Sequence, residues 1–76
     1  MTVTLIGKPG CHLCDEARAV VVSVCAATGT PWREVSILDD EELADQFWQQ
    51  IPVIQVDGRT VAFWHITPQQ LRAALP

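Results

Sequence analysis

Two cysteines three positions apart, Cys11 and Cys14, are the residues of this chain best placed to do chemistry. Thiols at that spacing can close a disulfide across one helical turn, exchange it with another thiol, or bind a soft metal ion. They follow the turn-forming run Gly7-Lys8-Pro9-Gly10, and beyond them Leu13, Ala17, Val20, Val21 and Val24 recur at steps of three and four, the pattern of one buried helical stripe. Cys11 is therefore expected to cap a helix and Cys14 to sit in its first turn. A helix start supplies partial positive charge and free N–H groups that stabilise a thiolate, the species that attacks disulfides. Lys8 and, when protonated, His12 add to that effect. Cys11 is expected as the nucleophile and Cys14 as the thiol that resolves the mixed disulfide.

The same pair is also half of a four-ligand zinc site, for which His12 and His65 are further candidates. No second Cys-x-x-Cys or His-x-His occurs, and the pair stands between a strand and a helix in a βαβ pattern. That setting favours a redox dithiol and no metal. Cys25 comes eleven residues after Cys14, on the same helical face but about 16 Å along the axis, so it is expected as a small buried hydrophobe. His12 lies inside the motif, while His65 is expected as a loop residue packing on Trp64. Trp32 and Trp48 are expected at the core or its boundary.

The elements that position the thiols follow from pattern. Thr2 to Ile6 is a β-branched first strand, and the helix after Cys11 spans about four turns, ending where Gly29 can turn left-handed and Pro31 cannot continue. A second, half-covered strand is expected over Trp32 to Leu38. Asp39 is then expected to cap a short helix, with Glu42 reciprocating and Leu43, Ala44 and Phe47 facing inward. The acidic run Asp39-Asp40-Glu41-Glu42 suits a solvated helix start better than a hard-cation loop, whose ligands alternate with glycine and carbonyls. Ile51-Pro52 closes that helix. Val53 to Val56 and Thr60 to Phe63 flank Asp57-Gly58, a strong hairpin signal. Thr67-Pro68-Gln69-Gln70 announces a last helix, from Pro68 to about Leu75, with a capping Thr, a first-turn Pro and an Ile66–Leu71 staple. The result is an α/β fold: a four-stranded mixed sheet, built from a parallel βαβ unit plus an antiparallel hairpin, with three helices.

Composition narrows the partners. A chain of 76 residues hides only about 60% of the surface its unfolded form exposes, yet three cysteines are too few and odd in number for a disulfide-stapled scaffold. Five Lys and Arg against nine Asp and Glu give a net charge of -4, so there is no basic footprint for nucleic acid or an anionic membrane. Apolar runs such as Ala19 to Val22 are far too short to span a bilayer. A cytoplasmic location is expected, where a Cys-x-x-Cys pair serves redox chemistry or metal rather than permanent stapling.

Lys8-Pro9-Gly10-Cys11-His12-Leu13-Cys14 before a helix, together with Ile51-Pro52-Val53 opening a strand before a hairpin, resembles glutaredoxin. The wording Cys-His-Leu-Cys-Asp-Glu-Ala is similar to that of the short bacterial glutaredoxin-like proteins. The resemblance spans essentially the whole chain, 1–76, as one domain. It implies a thioredoxin-like fold, a redox-active disulfide on Cys11 and Cys14, and a cis Ile51–Pro52 bond whose Ile51 backbone pairs with the substrate. Typical glutaredoxins have Pro-Tyr between the cysteines, where this chain has His12-Leu13. Where they carry a Gly-Gly turn and an Asp that cradle the γ-glutamyl group of glutathione, this chain reads Phe63-Trp64-His65-Ile66-Thr67. Trp64 and Thr67 thereby become candidates for substrate binding, Thr67 through its hydroxyl and a helix N-terminus. The chain also lacks the Trp-Ser-Gly-Phe-Arg-Pro stretch of glutaredoxin-like electron donors that draw on thioredoxin reductase.

The leading expectation is a monomeric thiol-disulfide oxidoreductase acting on protein disulfides or glutathionylated proteins. It would hold no tightly bound cofactor and would be reduced by glutathione or a thioredoxin-reductase-type donor. Two other classes use the same residues. One binds an iron-sulfur cluster or zinc through the cysteines; the other is a non-catalytic interaction module in which Trp64 and the Pro52 loop form the binding surface.

Overall fold

A computed structural model describes residues 1–76. The elements run β1 (Val3–Gly7), α1 (His12–Thr28), β2 (Trp32–Ser36), a 3-10 turn (Ile37–Asp39), α2 (Glu41–Phe47), β3 (Val53–Val56), β4 (Arg59–Phe63) and α3 (Pro68–Ala74). The strands form one mixed sheet in the order β2-β1-β3-β4. β1 pairs in parallel with β2, Val3 beside Trp32, and antiparallel with β3, Val3 beside Val56. β4 completes the hairpin, with Val53 opposite Phe63. This is the α/β architecture that the residue pattern implies.

Alternation along β1 builds the core in two parts. Val3 and Leu5 enter a cluster with Ala17, Val21, Val24 and Cys25 of α1, Ile54 and Val56 of β3, and Leu71 of α3. Ile6 points the other way, into a smaller cluster with Cys14, Ile37, Phe47, Ile51 and Val53, against which Leu43 and Ala44 of α2 are packed. Cys14 and Cys25 therefore belong to different clusters.

The caps account for most element ends. Gly29 takes φ 69° and ends α1 with a bond from its N–H to the Cys25 carbonyl. Asp57 and Gly58, at φ 52° and 80°, make the hairpin turn, and the Asp57 carboxylate accepts from the Thr2 amide at 2.8 Å. Thr67 and Gln70 form the capping box of α3, and Ile66 and Leu71 are buried in one cluster as a staple requires.

Three local expectations are corrected. β2 ends at Ser36 rather than Leu38, because the Ser36 hydroxyl accepts from the Leu38 amide at 3.1 Å and opens a 3-10 turn; Leu38 is exposed. The cap of α2 is Asp40, one residue later than expected, with its carboxylate accepting from the amides of Glu42 and Leu43. Asp39 closes the 3-10 turn instead. Trp48 is neither core nor boundary: it caps the C-terminus of α2 and stands in solvent.

Candidate functional site

Cys11 is the N-cap of α1, at φ -102° and ψ 113°. Its Sγ accepts from the backbone N–H of Cys14 at 3.2 Å, one of the first-turn donors that no carbonyl satisfies. That bond fixes the Cys11 sulfur over the first turn of the helix. The two thiols are free, and they differ in access: Cys11 is half-buried, whereas Cys14 is fully buried. Burial, reinforced by the hydrogen bond to Cys11, pushes the Cys14 thiol up to about 11. The neighbouring Lys8 backbone and the Arg18 charge act in the opposite direction. The site can thus present one sulfur outward and hold the second, protonated, directly behind it.

Gly7 makes room for this arrangement, and nothing in the reading of the sequence singled it out. A Cβ on Gly7 would stand 2.8 Å from the Cys14 Sγ and 3.3 Å from its Cβ. The available signal was a glycine ending a β-branched strand, a position that marks close approach by another group. Arg18 was also missed. It lies one turn beyond Cys14, donates to the Glu34 carboxylate through Nε (2.8 Å) and Nη2 (2.6 Å), and to Asp15 through Nη1 (2.8 Å). The bonds to Glu34 and then Asp15 hold this guanidinium above its ordinary range, and the bond from Arg18 holds Glu34 below the usual carboxylate range. The clamp joins α1 to β2 beside a cleft of about 370 Å³ lined by Gly7, Lys8, Pro9 and Ser36 among others.

The Ile51–Pro52 bond is cis. Both residues are buried, and Ile51 shares a cluster with Cys14 against which Cys11 packs. Trp64 braces this loop from the end of β4: its backbone N–H donates to the Pro52 carbonyl at 2.8 Å, and its indole N–H donates to the Gln49 carbonyl at 3.0 Å. Trp64 does so at φ 63°, a left-handed conformation that costs a bulky residue about 1–3 kcal/mol. Its ring neighbour is Phe63, at 6.4 Å between centroids; His65 is exposed. Thr67 is engaged within its own capping box, its hydroxyl accepting from the Gln70 amide and its amide donating to the Gln70 side chain. Lys8 and His12 are exposed beside Cys11. No three His, Cys, Asp or Glu side chains gather where they could hold a metal ion.

A mixed sheet in this order, with a Cys-x-x-Cys capping α1 and a cis-proline loop packed against it, is the thioredoxin fold. Thioredoxin 1 of Thermosipho africanus TCF52B shares it with a TM-score of 0.66 over 99% of this chain and 94% of its own, at 7% identity, a likeness of fold alone. Residues 2–76 match the glutaredoxin-like domain (DUF836), and the chain belongs to that family. The structural genomics target protein XcR50 of X. campestris is 31% identical over 96% of this chain and 93% of its own, with a TM-score of 0.80. Protein Ne2328 of Nitrosomonas europaea, 21% identical over 99% and 91%, superposes with a TM-score of 0.82. No curated protein matches the chain.

Proposed function

We propose that the protein is a thiol-disulfide oxidoreductase whose working groups are Cys11 and Cys14. The observation that carries this reading is the asymmetry of the pair: a half-buried sulfur at a helix N-cap, and in the first turn behind it a fully buried one. Membership of the glutaredoxin-like family supports it. In the cycle the Cys11 thiolate attacks one sulfur of a substrate disulfide. A Cys11–substrate disulfide forms, the substrate S–S bond breaks, and the departing thiolate takes a proton from water. Cys14 then loses its proton and attacks the Cys11 sulfur. The mixed disulfide breaks, the second substrate thiolate leaves and is protonated, and Cys11–Cys14 is oxidised. Two electrons have passed to the substrate.

Lys8, His12 and the helix start act on the Cys11 thiolate, and the Ile51 backbone beside cis-Pro52 aligns the substrate, with Trp64 and Thr67 at the edge of the site. The oxidised pair returns to the dithiol by exchange with glutathione or a thioredoxin-reductase-type donor, in a reducing compartment such as the cytoplasm. Comparing these two donors for the rate at which they reduce the oxidised protein identifies the supply. Substituting Cys14→Ser removes the resolving thiol and should trap the first intermediate. Mass spectrometry of that variant, offered a disulfide substrate, is expected to show one adduct, on Cys11; an adduct elsewhere, or none, overturns the assignment.

A further inference from the structure

Three large rings around the Gln49-to-Pro52 loop are left out of the core. Trp48, Phe63 and Trp64 remain 62%, 40% and 52% exposed, and clustered apolar exposure of this kind marks an interaction surface rather than scattered surface residues. Trp64 is the best defined of them. Its left-handed backbone and its two bonds to the Pro52 and Gln49 carbonyls hold the indole at the surface without burying it. A ring fixed before binding loses little freedom when a partner covers it, which is the property of an anchor. The loop that the rings surround also reaches the thiols, because its Ile51 packs in one cluster with Cys14, against which Cys11 and the α2 residues Leu43 and Ala44 are placed.

Charge around the loop selects the partner. Asp39, Asp40, Glu41, Glu42 and Asp45 are exposed on the α2 side, and none of them is ion-paired. Cations are scarce there. Both ion pairs of the molecule belong to Arg18, Arg33 donates to Thr4 of β1, Arg59 lies at the hairpin, and Arg72 is on α3. Lys8 is left as the cation of the cysteine loop. A surface of this make-up has little to offer a small acidic thiol with two carboxylates, and much to offer a polypeptide with basic and apolar side chains.

We propose that the Trp48, Phe63 and Trp64 rings and the α2 carboxylates together form a docking surface for polypeptide segments in which an aromatic or aliphatic residue and Lys or Arg flank the reactive cysteine. This deepens the oxidoreductase reading, and it rests on that reading for its purpose. The surface itself is tested without exchange chemistry, using short synthetic peptides with serine in place of cysteine and flanked by Phe and Arg, by Phe and Glu, or by Gly and Ser. With the reduced full-length chain at low salt, fluorescence anisotropy is expected to show the Phe-Arg peptide binding about tenfold tighter than its Phe-Glu twin, with the advantage shrinking as salt is added.

Trp64→Gly retains a residue suited to the left-handed backbone while deleting the ring, and is expected to weaken the Phe-Arg peptide about fivefold or more. Trp48→Ala, at an exposed helix end, should weaken it in the same direction. Equal binding of the three peptides, or an undiminished preference in both ring variants, overturns the proposal. The cysteine forms of the peptides, as mixed disulfides with 5-thio-2-nitrobenzoate, separate the two readings. Colour release without peptide preference retains the oxidoreductase and rejects the surface; preference without colour release does the reverse.

Discussion

At the scale of single residues, the two thiols are made different by where the backbone places them. Cys11 takes its hydrogen bond from an amide that the helix leaves unpartnered, while Cys14 is pushed up to about 11, chiefly by burial. The resolving step needs the Cys14 thiolate, and burial holds that thiol up, so its rate should rise with pH from neutral upward. Once Cys11 is tied up in a mixed disulfide, its part of the upward push is gone and burial remains, so the rate should level off at a lower pH than the free dithiol's about 11. Quenched-flow measurement of product release against pH checks this; a flat profile would count against Cys14 as the resolving group. Gly7 is the second residue on which the site turns. Gly7→Ala places a methyl 2.8 Å from the Cys14 sulfur, and should cost roughly 1–3 kcal/mol in urea unfolding while slowing ring closure.

Whole elements owe their ends to short-range hydrogen bonds, and these differ in how plainly the chain announces them. The α3 start is announced in full: Thr67, Pro68 and Gln70 appear in order, and the capping box forms as the motif requires. Thr67→Ala should destabilise the fold by about 1 kcal/mol, visible as a shift in the urea midpoint. The α2 start is more ambiguous. Asp39 and Asp40 are both good caps, and the choice between them fell to Ser36, whose hydroxyl drew the chain into a 3-10 turn and displaced the cap by one residue. Propensity alone ranks the two aspartates equally, so that choice was not readable from their types.

For the molecule as a whole, the division of the core into two clusters separates support from site. Leu71 belongs to the larger cluster between the sheet, α1 and α3, whereas Phe47 belongs to the smaller one that holds Cys14 and Ile51. Leu71→Ala should lower stability by about 2–5 kcal/mol and leave the rate of disulfide attack by the folded fraction unchanged. Phe47→Ala should lower stability by about 3–5 kcal/mol and also change that rate, because the cavity opens beside the cysteines. Urea unfolding paired with single-turnover exchange under native conditions distinguishes the two; equal effects on exchange would show that the clusters do not divide the work.

Much of this was legible in the chain itself. Hydrophobic period, turn chemistry and caps depend on neighbours within a few positions, so the order of strands and helices, the Asp57-Gly58 turn, the Cys11 cap and the burial of Cys25 follow from the sequence alone. The cis state of Ile51–Pro52 came from family resemblance, since no local rule demands it. Other features were settled only when distant segments met. The close approach of Gly7 to Cys14, the reach of Arg18 from α1 to Glu34, and the bracing of the Gln49-to-Pro52 loop by Trp64 each join residues that are remote in the chain. The exposure of Trp48 belongs with them, because a tryptophan's type favours burial while its place depends on what packs beside it. Local chemistry thus determined the elements and the placing of the cysteine pair at a helix start, and tertiary packing decided which sulfur faces outward and what surrounds it.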